Sequence, residues 1–151
     1  MVKGMKVSKI ISGGQTGADQ GGLEAGKVLG IETGGTAPPN FLTEDGPNPS
    51  LLKKYGLVEG PPDPSKYPKR TKLNVKDSSG TVIFGNTGSP GSKLTVRYCL
   101  QYNKPFILNP TSRSLRHWIE ENNIVVLNVA GNRETKSPGI HKRVKSILLE
   151  L

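Results

Sequence analysis

Short apolar runs alternate with longer stretches of helical periodicity along most of the chain. The apolar runs predict strands at residues 7–11, 31–35, 81–84, 106–108 and 124–129. The stretches between them predict helices at residues 18–29, 50–55, 69–77, 92–103 and 114–122, and a last helix from Ile140 onward. Strands that alternate with helices favour a parallel sheet covered on both faces. The sequence therefore predicts an α/β fold, a doubly wound parallel sheet of about five strands with helices on both faces, in the order 2-1-3-4-5.

The segment between residues 36 and 68 interrupts this alternation. It holds eight of the twelve prolines, and such a long loop in a compact domain is typically a lid, a binding loop or a disordered insertion. Regular elements are predicted on both sides of it, so we do not interpret it as a linker between domains. We therefore predict a single domain over residues 1–151, with an irregular proline-rich loop at about 36–68.

Composition excludes several classes of protein. The 151 residues include one cysteine, Cys99, which excludes an internal disulfide framework and a multi-cysteine zinc site. No apolar run approaches the roughly 18 residues of a membrane-spanning helix, and residues 1–11 lack the apolar centre of a signal peptide. We therefore expect a cytoplasmic protein with no membrane partner.

The chain carries a formal net charge of +9, from 21 lysines and arginines against 12 aspartates and glutamates. A basic surface favours anionic partners. The sequence has no arginine-rich tract and no basic stretch interleaved with aromatic residues, which disfavours nucleic acid as the partner. The expected partner is an anionic small molecule. A homo-oligomer stays open, because nothing in the sequence sets the oligomeric state.

Three predicted strands end in glycine-rich loops that lead toward helices, at residues 12–19, 85–92 and 130–139. In a parallel sheet these loops share the edge where ligands bind in doubly wound folds. Glycines let backbone N–H groups approach an anion, and each following helix N-terminus adds about half a positive charge. Ser137 and Pro138 have the pattern of an N-cap followed by proline in the first turn. We therefore predict an anion site where residues 13–17 and 136–139 converge.

Other candidate residues have ordinary structural explanations. Neither the Walker nor the dinucleotide-binding spacing is present, and no cluster of His, Asp and Glu predicts a bound metal ion. Cys99 is predicted to be a buried structural thiol, and His117 and His141 are predicted to face solvent. Asp19 is explained either as a favourable negative charge in the first turn of the helix at residues 18–29 or as a hydrogen-bond partner of a ribose or base. Glu44 suits a turn or a carboxylate held over the cleft.

Several motifs together resemble one known family. They are residues 12–20 (SGGQTGADQ), 34–38 (GGTAP), 43–46 (TEDG), 55–57 (YGL), 70–71 with 74–75 (RT, NV), 77–78 (DS), 126–131 (VLNVAG) and 136–140 (KSPGI). This combination resembles the molybdenum carrier family, the circularly permuted YpsA-related group, from Ile11 to Leu151. That family belongs to a Rossmann-like superfamily with the LOG proteins, molybdenum cofactor carriers and the DNA-processing protein A. The resemblance implies a Rossmann-like domain whose bound group is the molybdenum cofactor or a nucleotide.

The chain departs from the family pattern at two places. Residues 36–38 read Thr-Ala-Pro where many relatives have Trp-Cys-Pro, and residues 91–93 read Gly-Ser-Lys where the second loop of relatives has Gly-Gly-Thr.

The loops and the resemblance together predict the following ligand-binding residues: Gly13, Gly14, Gln15, Thr16, Gly17, Asp19, Gly35, Thr36, Glu44, Arg70, Asn74, Gly85, Asn86, Gly88, Ser92, Thr95, Asn132, Lys136, Ser137, Pro138 and Gly139.

Three functions are compatible with these features. The leading hypothesis is a protein that binds a phosphate-bearing, nucleotide-like or pterin molecule at the glycine-rich loops, as a molybdenum cofactor carrier. The alternative is a nucleotide N-glycosidase like the phosphoribohydrolases of the superfamily, for which Glu24, Glu44 and Arg70 are the candidate catalytic residues. A single-stranded nucleic-acid-binding module is the third, suggested by the net charge and disfavoured by the lack of aromatic platforms.

Overall fold

A parallel sheet forms the centre of the protein. The computed structural model describes residues 6–62 and 68–151. The strands in this part of the chain are β1 (Lys9–Ile11), β2 (Glu32–Gly34), β3 (Thr36–Ala37), β4 (Leu42–Thr43), β5 (Gly46–Pro47), β6 (Val58–Glu59), β7 (Gly80–Phe84), β8 (Phe106–Leu108) and β9 (Val126–Gly131). The helices are α1 (Ala18–Leu29), α2 (Ser50–Tyr55), α3 (Pro68–Lys76), α4 (Pro90–Gln101), α5 (Ser112–Glu121) and α6 (Ile140–Leu148).

The five strands of the main sheet follow the order β2-β1-β9-β7-β8, and all neighbouring pairs are parallel. The predicted order 2-1-3-4-5 is wrong, because the last strand, β9, lies between β1 and β7. Leu127 of β9 pairs with Ile10 on one side, and Asn128 pairs with Thr81 on the other. The buried side chains of β9 favour this central place, since a central parallel strand is covered on both faces.

Helices cover both faces of the main sheet. On one face α1 packs against α6, and α5 joins them through a hydrogen bond from Ser112 Oγ to the Ile147 carbonyl (3.3 Å). On the other face α3 packs against α4. The predicted α/β class, a doubly wound parallel sheet with helices on both faces, is confirmed.

Most of the apolar core lies between the sheet and the layer of α1, α5 and α6. The close packing of α1 depends on small residues. An added Cβ at Gly22 would lie 2.8 Å from the Val129 side chain. The buried members of this core are Ile10, Ala18, Ala25, Val82, Phe84, Leu115, Ile119, Ile124, Leu127, Val129, Ile140, Val144 and Leu148.

The segment after β2 is more regular than its composition predicts. β3 pairs with β6 in parallel, and β4 forms an antiparallel hairpin with β5. Helix α2 coincides with the short helix predicted at residues 50–55. Its Leu51 and Tyr55 join Leu57 in a second apolar cluster. Residues 63–67 of the predicted loop lie outside the described residues.

No helix within residues 6–62 and 68–151 combines the length and the apolar character needed to cross a membrane.

Candidate functional site

A cleft of about 760 Å³ opens at the carboxyl edge of the main sheet, between α3, α4 and the loops that follow β1 and β9. Eleven of the predicted site residues line it: Gly13, Gln15, Asp19, Arg70, Asn74, Asn86, Gly88, Ser92, Thr95, Asn132 and Lys136. The cleft therefore brings residues from the first, second and third glycine-rich loops together with residues of α3 and α4.

The other predicted residues lie beside the cleft rather than on its wall: Gly14, Thr16, Gly17, Gly35, Thr36, Glu44, Gly85, Ser137, Pro138 and Gly139. Gly14 shows why. It has φ +79°, and an added Cβ would meet the Leu57 and Leu51 side chains at 2.7 and 2.9 Å. Gly14 therefore packs against the second apolar cluster, while Gly13 faces the cleft.

The backbone of the first glycine-rich loop binds a carboxylate of the protein itself. Asp19 is 4% exposed, and its carboxyl accepts hydrogen bonds from the N–H groups of Gly13 and Gln15, the latter at 3.2 Å. Arg70 Nη1 lies 3.5 Å from Asp19 Oδ2. Burial raises the pKa of Asp19 to about 6, against the opposing effects of Arg70 and the backbone N–H groups.

Gly13 leaves the space in which the Arg70 guanidinium lies. An added Cβ at Gly13 would overlap Arg70 Nη1. Helix α3, which carries Arg70, is held against β3 by Asn74, whose side-chain amide both accepts from the Thr36 N–H (2.8 Å) and donates to the Thr36 carbonyl (2.9 Å). Thr36 and Asn74 therefore position Arg70 at the wall of the cleft.

A second internal carboxylate joins the first loop to the third. Glu44, at the tip of the β4–β5 hairpin, accepts hydrogen bonds from the Thr16 hydroxyl and from the N–H and hydroxyl of Thr135. Arg133 Nε lies 3.3 Å from Glu44 Oε1. Burial alone would raise the pKa of Glu44, but the hydrogen bonds from Thr135 and Thr16 outweigh it and lower the pKa. We call this arrangement the Glu44 clasp.

A third carboxylate caps α6. The N–H groups of Gly139 and His141 donate to the Glu134 carboxylate at 2.7 and 3.1 Å. The N-cap residue of α6 is Gly139, which has no side chain of its own to accept hydrogen bonds from these N–H groups. The predicted N-cap at Ser137 and Pro138 is therefore wrong, and the N–H groups expected to face a ligand bind Glu134 instead.

The second loop differs from the other two. Ser89 caps α4 by accepting from the Ser92 N–H (3.4 Å), and Pro90 occupies the first turn. The Ser-Pro pattern thus marks a helix start here and not at residues 137–138. In the part of the chain that the structure describes, the first turn of α4 contains no acidic residue. This N-terminus lines the cleft through Pro90, Gly91 and Ser92.

Asn132 ties the second loop to the third. It is 9% exposed, and its Oδ1 accepts from the Asn86 N–H (2.6 Å) and the Ser137 hydroxyl (3.0 Å). An added Cβ at Gly85, which has φ +99°, would meet this side chain. Hydrogen bonds within the protein therefore fix the three loops relative to one another.

Within residues 6–62 and 68–151, three cationic side chains line the cleft, Arg70, Arg133 and Lys136, against one carboxylate, Asp19. Arg70 is paired with Asp19, and Arg133 with Glu44. Among the described residues Lys136 forms no ion pair. The cleft is therefore electropositive, which suits an anionic ligand.

Several cleft residues were missed from the sequence: Thr71, Ser89, Pro90, Gly91, Leu94, Asn128, Val129, Ala130 and Gly131. Asn128 carried a usable signal, because an amide within an apolar strand is unusual. It is 3% exposed, and its Nδ2 donates to Thr81 Oγ1 (3.2 Å). The sheet therefore contributes a polar floor to the cleft.

Glu24 and Glu44, the two carboxylates nominated for catalysis, do not line the cleft. Glu24 lies 2.8 Å from His141 Nε2 and 3.6 Å from Lys145 Nζ, where α1 meets α6. The His141 hydrogen bond, partly offset by burial, lowers the pKa of Glu24. The expectation that His141 faces solvent is therefore wrong, since it is half-buried and hydrogen-bonded.

Cys99 is buried, as predicted. Desolvation raises the pKa of its thiol, against a hydrogen bond with Thr81. No group of three or more His, Cys, Asp and Glu side chains that could hold a metal ion occurs within residues 6–62 and 68–151.

The fold and the cleft define a Rossmann-like α/β protein with an electropositive cleft at the carboxyl edge of a parallel sheet. The chain belongs to the circularly permutated YpsA SLOG family, whose model matches residues 10–151. It is 36% identical to the "Putative molybdenum carrier protein" of Syntrophus aciditrophicus SB, with a TM-score of 0.87 over 99% of this chain and 98% of that one. No curated protein matches the chain significantly. The resemblance stated from the motifs is confirmed.

Proposed function

We propose that this chain binds a phosphate-bearing small molecule of the nucleotide or pterin kind in the cleft, and carries it rather than converting it. The observation that supports this most is the cleft itself, where the first turn of α4 and three cations meet at the carboxyl edge of a parallel sheet. The name of the similar Syntrophus protein makes the molybdenum cofactor the first candidate for the cargo.

The residues of the cleft fit such a cargo in size and in chemistry. A volume of about 760 Å³ is within the usual range of small-molecule sites, roughly 300–1,000 Å³. The N-terminus of α4, where Gly91 lines the cleft, would hold a phosphate together with Lys136, because a helix N-terminus carries about half a positive charge. Thr95 and Asn128 line the same cleft, and Thr95 Oγ1 and Asn128 Oδ1 offer acceptors to the edge of a heterocycle.

This assignment moves the anion away from the place that the sequence predicted. The N–H groups of residues 13 and 15 bind Asp19, and those of residues 139 and 141 bind Glu134. Glu44 occupies the junction of the first and third loops. We therefore place the phosphate in the cleft between the start of α4, on the second loop, and the cationic side chains of Arg70 and Lys136.

Thermal unfolding and calorimetry test the proposal directly. Nucleoside monophosphates, pterin phosphates and molybdate are added separately, with the corresponding nucleosides and unphosphorylated pterins as matched controls. A ligand at about 100 times its Kd stabilises the folded state by about 2.7 kcal/mol. We expect this stabilisation from phosphate-bearing ligands and much less from their unphosphorylated forms. If no phosphate-bearing ligand stabilises the protein, the proposed function is wrong.

One observation favours nucleotide hydrolysis as a second candidate. Asp19 is a buried carboxyl group with a pKa of about 6, and it lies beside Arg70 in the cleft. A carboxyl group with such a pKa is suited to proton transfer near neutral pH. Incubation with nucleoside monophosphates at high protein concentration, followed by chromatography for free base, tests this activity. Release that Asp19→Asn abolishes would support hydrolysis, and unchanged nucleotide would exclude it for those substrates.

A further inference from the structure

We infer that a dianion bound in the cleft pairs with Arg70, and that Asp19 takes up one proton as this dianion binds. The inference rests on the proposed function, because it requires an anion in the cleft. It adds a regulatory property to that site, a dependence of affinity on pH. It also specifies the ligand chemistry, a tetrahedral dianion such as a phosphate monoester rather than a neutral group.

The position of the Asp19–Arg70 ion pair brings a bound anion close to both side chains. Asp19 and Arg70 both line the cleft, and their charged atoms are 3.5 Å apart. Arg70 lies over Gly13, where an added Cβ would overlap its Nη1. The guanidinium is thereby held at the cleft wall with Asp19 beside it, so an anion that reaches Arg70 also approaches Asp19.

The charges around Asp19 favour its protonated form once a dianion is bound. It is 4% exposed, and Arg70 is the charged side chain that stabilises its ionised form, with backbone N–H groups from residues 13 and 15. The other charged side chains that line the cleft in the described part of the chain are Arg133 and Lys136 on the third loop, of which Arg133 is paired with Glu44. A dianion at Arg70 neutralises the favourable charge and adds an unfavourable one. Both effects favour the protonated carboxyl group.

The direction of the pH dependence follows from proton uptake by Asp19. The Asp19 pKa is already raised to about 6 without a ligand, and the dianion raises it further. Below that pKa the group is protonated before binding, so affinity does not change with pH. Above it, binding requires proton uptake, so affinity falls by up to about tenfold for each pH unit, until the pKa of the bound state is passed.

Inorganic sulfate is the probe for this inference, because it stays a dianion from about pH 5 to pH 9. Its Kd is measured by NMR titration across that range, for the wild-type protein and for Asp19→Asn. We expect wild-type affinity to fall as the pH rises above about 6. The variant is expected to bind with no pH dependence, and more tightly than the wild type at about pH 8. A merely structural role for Asp19 predicts the reverse, weaker binding at every pH.

Two controls keep the test decisive. Glu24→Gln removes a carboxylate from the same helix that lies outside the cleft, and it should retain the wild-type pH profile. The ¹³C shift of the Asp19 carboxyl in the wild-type protein needs no variant, and its titration midpoint should move to higher pH when sulfate is saturating. Sulfate binding that is independent of pH, with an unmoved midpoint, overturns this inference and leaves the proposed function intact. If neither sulfate nor any phosphate ligand binds, both are overturned.

Discussion

Gly17 shows how single atoms set the spacing of the loops at the carboxyl edge. Its φ is +81°, and an added Cβ would lie 2.7 Å from the Glu134 nitrogen and closer still to the Asn132 carbonyl oxygen. Both neighbours are backbone atoms, so no side-chain rotation can relieve the overlap. The first and third loops can therefore approach each other only around a glycine.

Gly17→Ala should lower the free energy of unfolding by about 2–6 kcal/mol, since backbone strain and overpacking each cost about 1–3 kcal/mol. Gly30→Ala is the matched control, because Gly30 also has positive φ (+72°) but nothing within 4 Å of its added Cβ. We expect it to cost only about 1–2 kcal/mol, the conformational penalty alone. Urea denaturation followed by circular dichroism measures both values. Equal losses would show that the close approach carries no energetic weight.

Lys136 is the exposed cation at the edge of the cleft that forms no ion pair with the described residues. A charge-assisted hydrogen bond contributes about 1.5–3 kcal/mol, so Lys136→Ala should weaken phosphate-ligand affinity by roughly ten- to a hundredfold. Lys142→Ala removes the same charge from an exposed position on α6, and we expect it to change affinity little. Calorimetry with the ligand that stabilises the protein measures the affinity of both variants. Similar effects of both variants would mean that only the overall charge matters.

The residues that bind these loops together were only partly predictable from the sequence. Glycine positions and the basic residues were visible, and they marked the correct edge of the sheet. The partners of the backbone N–H groups were not predicted: Asp19 and Glu134 are close in sequence to the groups they bind, whereas Glu44 reaches Thr135 only in the folded chain. Glu44 is 91 residues from Thr135, and no local pattern encodes such a contact.

At the scale of elements, the β4–β5 hairpin acts through the Glu44 clasp. Glu44 accepts from Thr16 on one loop and Thr135 on another, and its own N–H donates to Gln15 Oε1 (2.8 Å). The hairpin therefore fixes two of the three glycine-rich loops relative to each other. It supports the cleft without lining it.

Glu44→Gln should lower the free energy of unfolding at neutral pH by about 1–3 kcal/mol, because it removes charge-assisted hydrogen bonds. The pKa of Glu44 is lowered from its ordinary 4.5. Its contribution is therefore complete above pH 4.5, and it is lost as the pH falls through the lower folded-state pKa. Asp45→Asn, at the exposed neighbouring position, is the control. Urea denaturation at neutral and acidic pH should show a difference between the variants that disappears in acid; a difference that persists would contradict the ionic account.

Local sequence signals predicted some helix boundaries correctly and others incorrectly. Helix α1 has the predicted bounds, and Gly30 ends it in the left-handed conformation (φ +72°). Helix α4 begins at Pro90, two residues before the predicted start at residue 92, and Ser89 is its N-cap. The Ser-Pro pattern at residues 137–138, which predicted an N-cap, does not begin a helix; α6 begins at Ile140, and the Glu134 carboxylate accepts hydrogen bonds from the N–H groups of Gly139 and His141.

At the scale of the whole molecule, β9 joins the two halves of the sheet. It pairs with β1 on one side and with β7 on the other, although it comes last among the strands. Hydrophobic periodicity identified this strand. Its place in the sheet could not be predicted in the same way, because strand order depends on pairing between distant segments and not on local pattern.

Leu127→Ala in β9 should therefore lower the free energy of unfolding by about 2–5 kcal/mol, the usual cost of truncating a buried leucine. Leu127 is 0% exposed, whereas Leu108 on the edge strand β8 is 42% exposed. Leu108→Ala provides the matched control, for which we expect a loss below about 1 kcal/mol. Chemical denaturation gives both values. A similar cost at the two positions would contradict the central role of β9.

The central claim is that a phosphate-bearing ligand binds in the cleft against the second loop. Amide chemical-shift mapping tests it most directly, because a chain of 16.2 kDa gives well-resolved spectra. Titration with nucleoside monophosphates and pterin phosphates should shift the amides of residues 86–92 most, with those near Arg70 and Lys136. The amides of Gly139 and His141, held by Glu134, should move little. Shifts centred on residues 137–141, or none with any phosphate-bearing ligand, would contradict the account.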